Sequence, residues 1–169
     1  MTEQELLPIY TAFGGIILGA VVSFFPPFMM ERIKRRDEIL AVTCAIVTEI
    51  ETTIFLIEKR RYIHHVQDIL LALRDGRLKS STFHVVVPDD YCPIYKSHLA
   101  QVGLLPKAIR ADVVTFYQLI QATVADVQSG GLLAECECGA DAFQEFLDIV
   151  QQALVIGRRI VKNSKNECD

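Results

Sequence analysis

Charged side chains are missing from a long stretch near the start of this 169-residue chain, between Leu6 and Met30. Four short motifs that indicate enzyme classes are missing as well: GxxxxGK(S/T), GxGxxG, HExxH and GxSxG. Their absence argues against a phosphate loop, a dinucleotide fingerprint, a zinc-protease helix and a hydrolase nucleophile elbow. Clustered base is scarce too, and the formal net charge is −4, so nucleic acid is not favoured as a partner.

The uncharged stretch has the length and the flanks of a membrane-spanning helix. About 20 apolar residues form a helix that crosses the ~30 Å hydrocarbon layer. Two acids, Glu3 and Glu5, precede the stretch, and this acidic start disfavours a cleaved signal peptide. Four bases follow it: Arg32, Lys34, Arg35 and Arg36. Because bases collect on the cytoplasmic side and attract anionic headgroups, we expect a single span in the lipid bilayer, with the N-terminus outside.

Small residues recur every four positions along the predicted span. The stripe consists of Thr11, Gly15, Gly19 and Ser23. Small residues let helix backbones approach closely in lipid, where packing rather than hydrophobic burial drives association. The stripe therefore predicts a helix–helix interface in a homo-oligomer or, in a larger ring, the lining of a pore. Glycine is also common in membrane helices that do neither.

Two adjacent prolines separate the predicted span from the rest of the chain. Pro26 and Pro27 lack N–H donors and disfavour helical backbone before them, so the sequence predicts that the helix ends near Phe25 and a hinge follows. The expected organisation is an anchor with its hinge over residues 1–30, a cytoplasmic helical bundle over 31–162 and a polar tail over 163–169.

Helical periodicity dominates the predicted cytoplasmic part. Apolar residues recur three or four positions apart over about 28–74, as one helix or two nearly collinear ones, and again over 106–127 and 140–162. A short helix is expected from Pro93 to Val102, and an irregular segment with an extended stretch over 78–90. The predicted fold is all-α: one transmembrane helix followed by an antiparallel bundle of three long helices and one short helix.

Five cysteines bear on compartment and on metal binding. They are Cys44, Cys92, Cys136, Cys138 and Cys168. Thiols of a cytoplasmic domain are kept reduced, so we expect no disulfide. Only Cys136 and Cys138 lie close in sequence, whereas zinc sites usually have two such pairs. Neither a metal nor another cofactor is expected, and free thiols at a helix start are the simpler interpretation.

Three glutamates on the first cytoplasmic helix are candidates for carboxylate chemistry. Glu51 and Glu58 are seven positions apart, so they share a helix face, and Glu49 is close by. A di-iron site in a helical bundle also needs Glu-x-x-His motifs, which do not accompany these residues. The glutamates are therefore interpreted as a solvated face.

One pair of residues resembles a catalytic signature. Arg60 and His65 are separated by four residues, which is similar to the Arg-x4-His motif of HEPN-type ribonucleases, a family of helical bundles. The resemblance implies that His65 takes the proton of a ribose 2′-hydroxyl and that Arg60 steadies the phosphate. Against it, Arg61 stands where that family usually has a polar residue, and the motif lies early in the chain. Surface or packing roles are the alternative.

The middle of the chain resembles bacterial membrane-anchored helical proteins of unassigned function. The pattern consists of Asp90, Tyr91, Tyr95, Gly103–Pro106, Val114, Phe116 and Tyr117. In those proteins an N-terminal span and a Glu-containing helix, here Glu49 to Glu58, precede it. The resemblance covers about half of the chain. It implies a prokaryotic inner-membrane protein and carries no known active site.

The overall plan also resembles small CRISPR-accessory and antiviral effectors, which have one span and a degenerate HEPN-like bundle and assemble into membrane rings. This resemblance implies a non-enzymatic, self-associating membrane effector, which is the leading hypothesis. One alternative is a scaffold subunit whose cytoplasmic bundle holds a protein partner at the membrane. The other is a membrane-tethered ribonuclease that uses Arg60 and His65.

Overall fold

A computed structural model describes the backbone of residues 3–168, with side chains described over 29–165 and at Cys168. The chain is 78% helical, and the described residues contain no strand. The predicted all-α class is therefore confirmed. The helices are α1 (Glu3–Lys59), α2 (Tyr62–Arg74), α3 (Pro93–Ser97), a 3₁₀ helix (Leu99–Leu104), α4 (Lys107–Val127), α5 (Leu132–Glu135) and α6 (Ala140–Cys168).

The chain divides into two compact units, Met1–Ile39 and Leu40–Asp169. The predicted stripe of Thr11, Gly15, Gly19 and Ser23 lies on α1 in the first unit, and the side chains at these positions lie outside the described part. The bases Arg32, Lys34, Arg35 and Arg36 are all exposed there. The second unit begins at Leu40, nine residues after the boundary that the sequence predicts at 30/31.

Helix α1 is continuous through Pro26 and Pro27. The predicted end of the helix at Phe25 is therefore wrong. Two prolines remove two N–H donors, but their fixed φ near −65° is itself helical, and the many helical residues on each side extend the helix across them.

One helix near the N-terminus is long and apolar enough to span a membrane. In the part of α1 whose side chains are described, Met29–Lys59, the most apolar window has a mean hydropathy of 1.8, and a third of that window is buried. This burial comes from residues such as Ile46 and Ile50, which belong to the hydrophobic core of the second unit.

Helix α6 contacts first α1 and then α2 along its length, from its C-terminal end to its N-terminal end. Cys44 pairs with Cys168, Ile54 lies against Gly157, and Arg74 donates to Gln144 Oε1. As the residue numbers rise on α1 and α2, they fall on α6, so both helices run opposite to α6 and occupy successive parts of its length. Burying successive turns of one amphipathic helix against two others is the packing that the periodic stripes predict.

Helix α4 also runs opposite to α6. Arg159 makes two hydrogen bonds of 2.7 Å to the Asp112 carboxylate, and Phe116 lies against Gly157 one turn further along α4. Six α4 residues form the stripe that the sequence predicts to face inward. Val124 is partly buried, and the other five are buried: Ile109, Val113, Phe116, Ile120 and Val127. Phe116 and Phe143 are fully buried, which locates the centre of the core between α4 and α6.

A break at Arg60 and Arg61 divides the first predicted helix, so the structure has the second of the two predicted arrangements, two helices rather than one. Arg61 adopts left-handed backbone with φ 56°. Helix α6 continues through Asn163 to Cys168, where the sequence predicts a loose polar tail over 163–169. Burial of Ser164 and the link from Cys168 to Cys44 hold this last turn against the unit.

Cys44 and Cys168 form a disulfide, with their Cα atoms 5.4 Å apart. The expectation that all cysteines are free is therefore wrong for this pair. The two residues are 124 positions apart, and only the packing of α1 against α6 brings them together. The other three remain thiols, Cys92 and Cys138 buried and Cys136 exposed.

Gly157 allows the close approach of α6 to its neighbours. A Cβ atom there would lie 2.7 Å from the Phe116 ring and 2.8 Å from Ile54 Cδ1. The Gly157→Val substitution should lower the free energy of unfolding by about 2 kcal/mol, because the added atoms overpack a contact that the aromatic ring cannot leave.

Urea denaturation of the full chain in detergent, followed by circular dichroism, measures this effect. Gly103→Val is the control, since a Cβ at Gly103 meets nothing within 4 Å. Equal stability losses for the two variants would contradict close packing at Gly157.

Candidate functional site

A buried carboxylate joins three elements of the second unit. Glu49 on α1 is only 8% exposed. Its Oε1 accepts a hydrogen bond of 2.8 Å from the backbone N–H of Ile94, and its Oε2 accepts one of 2.9 Å from that of Tyr95. The Tyr117 hydroxyl on α4 donates to the same Oε2 at 2.7 Å. The carboxylate thus caps the first turn of α3 and links α1, α3 and α4.

Aromatic packing and burial complete this polar cluster. Tyr95 and Tyr117 stack with their ring centres 3.7 Å apart and their planes 9° from parallel. Burial, with the hydrogen bond to Glu49, raises the pKa of the Tyr117 hydroxyl. Burial, with the charge of Glu49, raises the pKa of the Cys92 thiol to about 12. Both groups therefore stay protonated at neutral pH, and neither is an activated nucleophile or base.

The interpretation of Glu49 as part of a solvated face is wrong. The sequence carries a signal for its burial, because Glu49 is three positions after Ile46 and next to Ile50, on the apolar stripe of its helix. Glu51 and Glu58, by contrast, are exposed, as that interpretation requires. Tyr95 and Tyr117 belong to the pattern that resembles bacterial membrane-anchored proteins, and in this structure they contact one another and Glu49.

The second unit contains an apolar cavity of about 430 Å³. Its walls come from five parts of the chain: the end of α1, the start of α2, the segment 83–91, the second half of α4, and α6. Apart from two threonines, two tyrosines and Arg60, every lining residue is aliphatic, phenylalanine or proline. This volume and this lining are typical of sites for small apolar ligands.

The segment over 83–88 forms one wall of the cavity in extended conformation, as the sequence predicts for part of 78–90. The N–H of Phe83 donates to the Leu133 carbonyl and that of Val85 to the Val127 carbonyl. Phe83, Val85 and Val87 are partly buried, whereas Val86 is 81% exposed. This alternation in burial is that of a strand with one face toward the core, and Val86 and Pro88 line the cavity together with the partly buried residues.

One member of the predicted catalytic pair, Arg60, lies at the edge of the cavity. Arg60 lines it, and its Nη1 donates to the Tyr62 hydroxyl at 3.0 Å. His65 is exposed on α2, and among the described residues no hydrogen bond joins it to Arg60. Arg60 therefore has a position in the structure that the sequence motif does not explain, and ribonuclease chemistry stays a prediction.

Over the described part of the chain, no group of three or more His, Cys, Asp or Glu residues is placed to hold a metal ion. The cavity contains no carboxylate or histidine either. Comparison with protein-family models, curated proteins and solved structures finds no match.

The Glu49→Gln substitution should lower the free energy of unfolding by about 2 to 4 kcal/mol. The neutral amide weakens three charge-assisted hydrogen bonds and places an N–H₂ group against buried donors. Thermal or urea denaturation measures the loss. Glu51→Gln is the matched control on the same helix, where the carboxylate is exposed, and should change stability by less than about 0.5 kcal/mol. Similar losses in both variants would show that Glu49 does not hold α3 in place.

Proposed function

We propose that this chain is a membrane-anchored, non-enzymatic binding protein whose C-terminal helical unit takes up an apolar ligand. One observation carries the proposal: an apolar cavity of about 430 Å³ lies in a unit whose one buried carboxylate among the described residues, Glu49, is already engaged in structural hydrogen bonds. Glu49 and Tyr117 serve the packing of α3 and do not line the cavity.

Self-association is part of the same proposal. The stripe of Thr11, Gly15, Gly19 and Ser23 supplies the helix–helix interface, and ligand uptake by the C-terminal unit is the signal that the assembled anchors respond to. A membrane effector or accessory in prokaryotic antiviral defence is the role that the resemblance of architecture supports. A scaffold that holds a protein partner at the inner membrane is the alternative role.

Native mass spectrometry of the full-length protein, purified from its own membranes, tests ligand uptake. We expect subunits that retain a small-molecule adduct, and loss of the adduct in Val124→Trp, because the indole fills the cavity that Val124 lines. Val114→Trp is the matched control on α4, since Val114 is 38% exposed and does not line the cavity. Purified protein without any adduct would contradict the proposal.

The same spectra report the number of subunits. We expect an oligomer, and a lower subunit number when Gly15 and Gly19 are both replaced by Ile, because the larger side chains keep the backbones apart. An unchanged assembly in that double variant would remove the stripe as the interface. Recovery of a stoichiometric protein partner in place of a homo-oligomer would favour the scaffold role.

Two observations point to opposite sides of the membrane for the C-terminal unit. The four bases Arg32, Lys34, Arg35 and Arg36 favour the cytoplasm, whereas the disulfide between Cys44 and Cys168 is typical of an oxidising compartment. We infer that the C-terminal unit lies on the cytoplasmic side and that its disulfide forms only under oxidising conditions.

A membrane-impermeant maleimide tests this orientation in intact cells, because Cys136 is an exposed thiol and Cys92 and Cys138 are buried. A cytoplasmic unit should be labelled only after the membrane is permeabilised, and Cys136→Ser should lower that labelling to what the partly exposed Cys44 and Cys168 contribute when their disulfide is reduced. Labelling of intact cells would place the unit outside and overturn the inferred orientation.

A further inference from the structure

The lining of the cavity includes both exposed and buried residues. Leu56 is 47% exposed and Arg60 is exposed too, and we call this part of the lining the rim. Val127, Phe146 and Val150 also line the cavity and belong to the hydrophobic core. A ligand that matches both parts of the lining therefore has one part in contact with water and one part that is apolar.

The interior of the cavity offers no free hydrogen-bond donors from its two threonines. Thr53 Oγ1 donates to the carbonyl of Glu49, and Thr123 Oγ1 donates to that of Ile120, both at 2.8 Å. Each hydroxyl proton is thus used within its own helix. The inner part of the ligand therefore contacts an apolar surface, where burial of hydrocarbon is favourable and burial of a polar group is not.

Arg60 is the one charged residue of the lining, and it has no carboxylate partner among the described residues. The nearest acid in sequence, Glu58 near the end of α1, is held by Arg158. Arg60 Nη1 donates to the Tyr62 hydroxyl, which keeps its own proton available to donate further. The guanidinium and the phenol can therefore both donate hydrogen bonds to one group at the rim.

Basic residues predominate next to Arg60 in the chain, whereas two exposed acids, Asp89 and Asp90, follow Pro88 in another part of the lining. Glu58 is paired with Arg158, and Lys59 and Arg61 flank Arg60 and are exposed. These neighbours add to the positive potential at the mouth of a low-dielectric cavity, where an anion is stabilised more than in open solvent. An anionic group is therefore the head that this rim selects.

We propose that the cavity binds a long acyl chain that carries an anionic head, with the chain among Val127, Phe146 and Val150 and the head on Arg60 and Tyr62. This inference rests on the proposed function, since it names the ligand class of the same site. A cavity of about 430 Å³ lies at the small end of the range for ligand pockets, which suits one chain rather than two. A free fatty acid and a lysophospholipid with a phosphate head share this chemistry.

Photo-crosslinking tests the proposal on the full-length protein in phosphatidylcholine nanodiscs. The probe is palmitic acid with a diazirine on its chain, and mass spectrometry maps the labelled peptides. Labelling should fall on 83–88 and 120–127. Arg60→Gln should weaken apparent affinity about tenfold, because it removes a charge-assisted hydrogen bond. Lys162→Gln is the control, because Lys162 is an exposed base that does not line the cavity.

Competition with unlabelled molecules identifies the head. Palmitate should displace the probe at least about tenfold better than hexadecanol, which has the same chain and no charge. If lysophosphatidate displaces the probe at a lower concentration than palmitate does, the head is a phosphate. If palmitate displaces it at the lower concentration, the head is a carboxylate. Either order supports an anionic head.

Two outcomes would overturn the inference and separate it from the proposed function. If Arg60→Gln leaves the affinity unchanged and hexadecanol displaces the probe as well as palmitate does, while Val124→Trp abolishes labelling, the cavity takes an apolar ligand without recognising charge, and only the anionic head is wrong. If the probe labels Val124→Trp as strongly as Val114→Trp, the probe lies in the bilayer or elsewhere. The inferred ligand class and the proposed binding function are then both wrong.

Discussion

The need to satisfy one buried carboxylate organises the second unit of this protein. A charge enclosed in a hydrophobic core is tolerated only when hydrogen-bond donors surround it. Glu49 obtains them from the first turn of α3 and from Tyr117, so the chain after residue 88 must return to α1 at a fixed point. Tyr91, two residues before α3, lines the apolar cavity. The wall of the cavity is therefore positioned by a contact that lies outside it.

The cavity arises because helix α4 packs closely against its neighbours at one end and less closely at the other. Helix α6 is drawn close to α1 and α4 at Gly157, where no side chain intervenes. Toward the other end of α4 the neighbouring element is the extended segment over 83–88, which is fixed by backbone hydrogen bonds to Val127 and Leu133. An extended segment fills less space than a helix, and the volume that it leaves open is lined by the apolar side chains of its neighbours.

Much of the helical content follows from the sequence alone, because it depends on local periodicity. The stripe from Ile109 to Val127 predicts α4 and its buried face almost residue by residue, and Gly76, with φ 71°, ends the stretch after α2 as a glycine at that position should. The break at Arg61 is different. A non-glycine residue in left-handed backbone carries no local signal, and the apolar stripe continues on both sides of it.

The site depends on contacts that local patterns do not encode. The place of Glu49 on an apolar stripe indicates that it is buried, but not that its partners are Ile94, Tyr95 and Tyr117. Similarly, the sequence indicates only that Arg60 belongs to a short motif that resembles a catalytic signature. Its position at the rim of a cavity depends on the packing of five segments that are distant in sequence. The disulfide is the extreme case, since the register of α1 against α6 decides which of five cysteines meet.

That disulfide also determines how mechanical load would pass through the chain. Cys44 lies just inside the second unit, and Cys168 lies at the end of α6, so the bond closes residues 44–168 into one covalent loop. Tension applied between the N-terminal part of α1 and the C-terminus would be carried across the sulfur atoms, and the core between α4 and α6 would bear none of it. In the reduced protein the same tension would run through every helix of the unit, and the cavity would become part of the loaded path.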